Sequence, residues 1–220
     1  MLIKFIMMKQ IFFILVFSIL YSSANSQAVK HYNLVQLLQT NKLITYHDQQ
    51  AQILQDSKKQ AITSAGITWL KDVTFKKGTI EIDLRGKNIF LQSFLGIAFH
   101  GVDTSAYEAV YFRPFNFKYA DTARRKWSVQ YFSLPTYDYV YLRKEHPLMY
   151  ENAVNPIPEP NNWFHATIVV DDDWIMVFVD HSTKASLQVK KLNKLNTGMI
   201  GLWASGLSGD FANLSIHRKE

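Results

Sequence analysis

The sequence predicts an all-β domain folded as a two-sheet antiparallel sandwich, and three observations carry that prediction. From about Ala51 onward, eleven short runs rich in β-branched and aromatic residues follow one another, separated by Gly, Pro, Asn and Asp. No stretch between them has a sustained helical period. The chain has no cysteine, so neither disulfides nor thiolate metal sites can hold it together and packing must do so. Two sheets about 10 Å apart, each burying one face against the other, meet that need.

The elements follow in order. Residues 1–26 read as a signal peptide: Lys4 and Lys9 precede the apolar run Ile11 to Tyr21, and small residues follow, with cleavage expected after Ser26. Eleven apolar residues are too few for a membrane span, which needs roughly twenty. Residues 27–50 are an irregular or short helical lead-in, where Leu34, Leu37 and Leu38 have helical spacing. Residues 51–220 are the sandwich domain. Its strand-like runs include "AITSAGITWLKDVTF", "GTIEIDL", "FLGIAFHG", "AVYFRPFNF", "WSVQYFS", "YDYVYLRK", "WFHATIVVDDDWIMVFVD", "GMIGLWASG" and "DFANLSIHR".

Between these runs, Gly78 after two lysines marks a tight hairpin, and Asp171 to Asp173 mark the tip of another. Three consecutive aspartates cannot all face one ion on a tight turn, whereas calcium wants six to eight oxygens, so this tip reads as a solvated turn. The segment from His146 to Asn162 holds four of the six prolines and reads as a stiff loop laid against the sandwich. Loss of the leader would leave about 194 residues with 22 basic against 18 acidic side chains, a mild excess with no Lys/Arg-rich run. That argues against nucleic acid as a partner, and no second run is long enough to enter a bilayer after cleavage. The expected location is secreted or periplasmic.

The stretches "VTFKKGTIEIDLRG", "SFLGIAFHG", "YEAVYFRPFNF", "YENAVNPIPEPNNWFHATIVV", "GMIGLWASG" and "GDFANLSI" resemble the concanavalin A-like lectin/glucanase superfamily. Within it they are most similar to secreted bacterial laminin-G-like and 3-keto-disaccharide-hydrolase-type (DUF1080-like) domains. The resemblance implies a jelly-roll sandwich whose concave sheet holds a glycan. Family-16-type β-glucanases in the superfamily carry E-x-D-x-E or E-x-D-x-x-E on a strand. Here Glu81 and Asp83 match the first two positions, but Arg85 and Gly86 occupy the candidate third. A guanidinium cannot protonate a leaving oxygen, so that two-carboxylate mechanism does not carry over. Glu81 and Asp83 are expected to pair with Arg85 or a nearby Lys.

The strands with a ligand-like pattern lie elsewhere. In "YEAVYFRPFNF" the period-two rule puts Tyr107, Ala109, Tyr111 and Arg113 on one side and Glu108, Val110 and Phe112 on the other. Read as a strand, "YDYVYLRK" likewise groups Tyr137, Tyr139, Tyr141 and Arg143. Tyr offers an apolar ring with a polar tip, and Arg a fork for carboxylates or paired hydroxyls. Asn116, Gln130 and Tyr131 join them as expected substrate-binding residues. The expected acid/base candidates are His100, whose unperturbed pKa suits proton transfer near neutrality, with Glu108 and Glu151, and Glu81 beside them. Trp163 and His165 share a face, and Trp174 is expected in the core.

Three functions compete on this reading. The first is a carbohydrate-binding protein for a poly- or oligosaccharide. The second is a glycoside hydrolase, or a lyase on uronic-acid polymers. The third is a laminin-G-like adhesion module. No cofactor and no metal are expected.

Overall fold

The computed structural model describes residues 29–46, 50–55 and 59–219; the expected signal peptide lies outside them. The first elements are β1 (Lys30–Tyr32), α1 (Leu34–Gln39), β2 (Leu43–Thr45), β3 (Gln52–Ile53), β4 (Ala61–Phe75), β5 (Gly78–Arg85) and β6 (Ser93–Gly101). Then come β7 (Glu108–Phe112), α2 (Pro114–Phe117), α3 (Thr122–Arg125), β8 (Val129–Ser133), α4 (Tyr139–Glu145) and β9 (Glu151–Asn152). The last are β10 (Phe164–Val170), β11 (Trp174–Val179), β12 (Leu187–Lys190) and β13 (Gly198–Arg218).

All strand pairings are antiparallel, and the hydrogen-bonded path runs β12-β11-β10-β5-β13-β6-β7-β8-β9. The path doubles over at β13. Residues Met199 to Gly206 pair with β6, whereas Asp210 to Arg218 pair with β5, so one strand serves both layers. On its other side β13 pairs with β4 from Gly198↔Phe75 to Ala212↔Ala61, with a register break between Ala204 and Gly209. Gly206 sits in that break at φ 77°, where a Cβ would lie 2.2 Å from the Gln92 carbonyl oxygen. Only glycine fits that backbone and that space.

Period-two alternation decides what is buried between the layers. Ile80, Ile82 and Leu84 of β5 and Ala166, Ile168 and Val170 of β10 face Ile97 and Phe99 of β6 and Val110 and Phe112 of β7. Complete burial of one such aliphatic or aromatic side chain is worth about 1.5–3 kcal/mol. A second, smaller apolar cluster lies on the outer face of the β6–β7–β8 layer, built from Trp69, Tyr107, Ala109, Tyr111 and Phe132. That face carries the site described below.

The described residues before residue 51 join the sandwich. β1 pairs with β13, β2 pairs with β4, and α1 buries Leu34 after an Asn33 N-cap that accepts from the Gln36 amide at 3.0 Å. Leu37 and Leu38 pack against the main core from the same helix, as their spacing requires.

Two expected strands are helical. After β7 the residues "PFNF" form α2, with Pro114 in its first turn. "YVYLRKE" forms α4, capped by Asp138, whose Oδ1 accepts from the Tyr141 amide at 2.7 Å, with Arg143 and Lys144 in the last turn. Trp174 is 40% exposed, because in β11 it is Ile175, Val177 and Val179 that point inward. The long Pro-rich segment lies along the sandwich: β9 pairs with β8, Val154 is buried, and the Asn155 amide donates to Ser186 Oγ at 3.0 Å.

Candidate functional site

One transverse row of paired residues crosses the outer face of the second layer. Trp203 of β13 lies opposite Gly96, Gly96 opposite Tyr111, Tyr111 opposite Gln130, and Gln130 opposite Glu151. Gly96 has no side chain, and a Cβ there would lie 2.0 Å from the Val110 carbonyl oxygen. Across that gap the Tyr111 and Trp203 rings approach to 5.0 Å between centroids. Phe132 completes the aromatic floor, 5.6 Å from Tyr111 and 5.7 Å from Trp203.

Above this floor opens a groove of about 620 Å³. Its walls come from the short helices and from the β5–β6 connection. α2 supplies Phe115 and Asn116, α3 and the residues after it supply Arg124 and Trp127, α4 supplies Tyr139 and Arg143, and the connection supplies Phe90 and Leu91. The helical period explains the α4 contribution, since residues four apart share a face. Tyr139 and Arg143 therefore both reach the groove. Tyr141 points away from it and packs on Tyr137 at 5.8 Å and His146 at 6.0 Å.

The polar groups of the groove are held from below. Arg113 is buried, and its guanidinium donates to Tyr111 Oη, Gln130 Oε1, the Trp127 carbonyl at 2.8 Å and Glu151 Oε2 at 3.3 Å. Arg143 donates to the same Glu151 oxygen at 3.0 Å, so one carboxylate anchors two guanidinium groups. Burial pushes the Tyr111 phenol up to about 12, against the pull of Arg113, so it stays protonated and donates to Gln130 Oε1 at 2.6 Å. Burial also lowers the pKa of Arg113 from its ordinary value, though a guanidinium stays charged there. Asn116 is buried and lines the groove. Its Nδ2 donates to the Trp127 carbonyl at 3.0 Å, but no donor among the described residues reaches its Oδ1.

Tyr111, Arg113, Asn116, Tyr139 and Arg143 thus come together around one groove. Gln130 and Glu151 lie beneath it, fixing Arg113. The other expected site residues are placed elsewhere. Tyr131 alternates with Gln130 and Phe132 and points into the core between the layers, where its hydroxyl donates to Glu108. Glu108 faces the same interior, 2.7 Å from His100 Nδ1, and neither side chain is accessible. His100 Nε2 is 2.6 Å from the Lys76 carbonyl. These three form a buried network at one end of the core, on the far side of β7 and β8 from the groove.

Glu81 and Asp83 stand on the outer face of the opposite layer. Asp83 lies 2.8 Å from His165 Nδ1 and accepts from Asn213 Nδ2 at 2.7 Å and Lys59 Nζ at 2.5 Å. Glu81 lies 3.1 Å from His217 Nε2. Arg85 pairs with Asp210 at 2.8 Å instead of with either carboxylate, and its guanidinium lies 4.9 Å over the Trp163 ring. At the β10–β11 tip, Asp171 and Asp172 bind Lys219 and Lys77.

Sequence reasoning missed Phe94, Phe115, Arg124, Trp127, Phe132 and Trp203. For Trp203 the signal was present: Leu202 and Ala204 are core residues, so the residue between them must point outward.

No family model matches the chain, and no curated protein does. Among solved structures it is similar to the carbohydrate-binding module CBM66 from Bacillus subtilis, with TM-score 0.55 and 12% identity over 79% of this chain and 93% of that one. A Bacillus subtilis protein of unknown function with a galectin-like fold matches with TM-score 0.53 and 13% identity over 90% of this chain and 92% of that one. A candidate glycosyl hydrolase from Parabacteroides distasonis matches with TM-score 0.50 and 10% identity, covering 87% of this chain and 100% of the other. At such identities the likeness is one of fold. With its two bridged antiparallel layers, the chain has a jelly-roll β-sandwich fold like that of these solved structures.

Proposed function

We propose that this is an exported carbohydrate-binding protein that holds an oligosaccharide in the groove over Tyr111, Phe132 and Trp203. One observation carries the reading: a groove whose floor is the aromatic trio Tyr111, Phe132 and Trp203 and whose walls carry guanidinium groups. Sugars offer C–H faces to stack on rings and hydroxyls for the polar groups around them. Export rests on the leader-like sequence of residues 1–26. The fold likeness to a carbohydrate-binding module agrees with the reading without carrying it.

Binding is favoured over hydrolysis by what lines the groove. Glycosidases use two carboxyl groups flanking the scissile bond, and among the described residues no Asp or Glu lines the groove. Glu151 sits below with both oxygens facing guanidinium N–H groups.

A glycan array read alongside a reducing-end assay tests this. We expect at least one oligosaccharide family to bind without release of new reducing ends. Trp203→Ala should weaken that binding at least tenfold while the protein stays folded. Absence of any bound glycan at millimolar concentration, or unchanged affinity in Trp203→Ala, would reject the groove as the site.

A further inference from the structure

Resting on the saccharide reading of the groove, we infer that its ligand is acidic: a saccharide carrying carboxylate or sulfate groups, read by Arg124 and Arg143, which both lie over the Trp127 ring. Among the described residues three cations line the groove, Arg113, Arg124 and Arg143, and no anion does. Beneath it Glu151 offsets one of those charges, leaving a net of about two positive charges facing a concave, partly apolar space.

The two outer guanidinium groups are held in place without being used up. Arg124 lies 5.2 Å and Arg143 5.0 Å from the Trp127 ring centroid, so the indole holds both cations by cation–π contact. Arg124 also lies 4.7 Å from the Phe90 ring and 5.0 Å from the Tyr119 ring. Among the described residues no carboxylate comes within ion-pair distance of Arg124. Stacking fixes the plane of a guanidinium but leaves its N–H fork free, and that fork matches an anionic oxygen pair. Arg143 differs, because part of its fork is already on Glu151. Arg124 is therefore the principal anion donor and Arg143 the secondary one.

A neutral sugar would gain stacking from this groove but would leave the cationic forks facing only hydroxyls. An acidic sugar satisfies both.

Titration calorimetry on the full chain with matched ligand pairs tests the inference: β-1,4-mannohexaose against the hexamer of β-1,4-mannuronate, and a sulfated galactan oligosaccharide against its desulfated form. The acidic member of at least one pair should bind ten times more tightly or better at 50 mM salt. That preference should shrink by at least threefold at 500 mM salt. Arg124→Gln, at a partly exposed position where the fold should persist, should reduce the preference at least threefold, and Arg143→Gln somewhat less. Which pair responds tells carboxylate from sulfate. Equal or tighter binding of the neutral members would overturn the inference while leaving the saccharide groove in place. Failure of all four ligands, together with an empty glycan array, would remove both. An acidic preference unaltered in Arg124→Gln and Arg143→Gln would show that the anion is read elsewhere, which also overturns the assignment.

Discussion

At the scale of single residues, Arg113 and Asp83 show how a charged side chain is made tolerable inside a sheet protein. Arg113 is buried, so its stability depends on every partner being in place: Tyr111, Gln130, Glu151 and the Trp127 carbonyl. Arg113→Met should destabilise the fold by about 3 kcal/mol, measured by urea denaturation, because Glu151 and Gln130 would keep their polar atoms and lose a partner. A cost below about 1 kcal/mol would mean that the network relaxes around the loss. Asp83 makes a pH-dependent contribution. Burial alone would raise its carboxyl, but hydrogen bonds from His165, Lys59 and Asn213 outweigh that and hold it at about 2, against 3.8 for an unperturbed Asp. A depressed folded pKa stabilises above the unfolded value, and the contribution is lost as pH falls from near 4 through 2. Allowing for solvent screening, it amounts to about 1 kcal/mol. The stability gap between the parent and Asp83→Asn, followed by thermal melts, should be present at pH 6 and largely closed at pH 2; a gap unchanged across that range would contradict the assignment.

At the scale of elements, the contrast between β7 and α4 explains what could be read from the sequence. In "YEAVYFR" every second residue does face the same side, so Tyr111 and Arg113 were legible as a pair. "YDYVYLR" shows the same alternation but folds as a helix, because Asp138 caps it and Leu142 supplies its single buried anchor. Cap and basic last turn were present in the sequence; the alternating tyrosines drew attention away from them. The helix still delivers Tyr139 and Arg143 to the groove, through a period of four residues instead of two. Arg124 and Trp127 were not legible in that way, since α3 is a single turn whose position depends on how the chain folds back over β7 and β8. Asp138→Ala should cost about 1 kcal/mol through loss of the cap. It should also weaken glycan binding several-fold by loosening the wall that carries Tyr139 and Arg143, read by the same calorimetry. Loss of stability with intact affinity would show that α4 is dispensable to the site.

At the scale of the whole molecule, the sandwich was legible because eleven runs of strand-forming residues leave few alternatives, while the route of β13 was not. "GMIGLWASG" and "DFANLSIHR" read as two strands, and in the structure they are one continuous strand that changes layers at Gly206. Gly206→Val should cost about 3 kcal/mol, since it combines a positive φ with contact at the Gln92 carbonyl. Circular dichroism melts will register this as a large drop in melting temperature; a near-parent value would mean that the bend can shift to a neighbouring residue. The same placement has a consequence for the order of assembly. β13 fills the central slot between β5 and β6, yet it is the last strand among the described residues to emerge during synthesis. Until it arrives, the slot between β5 and β6 stays unfilled, so closure of the two layers must wait for β13.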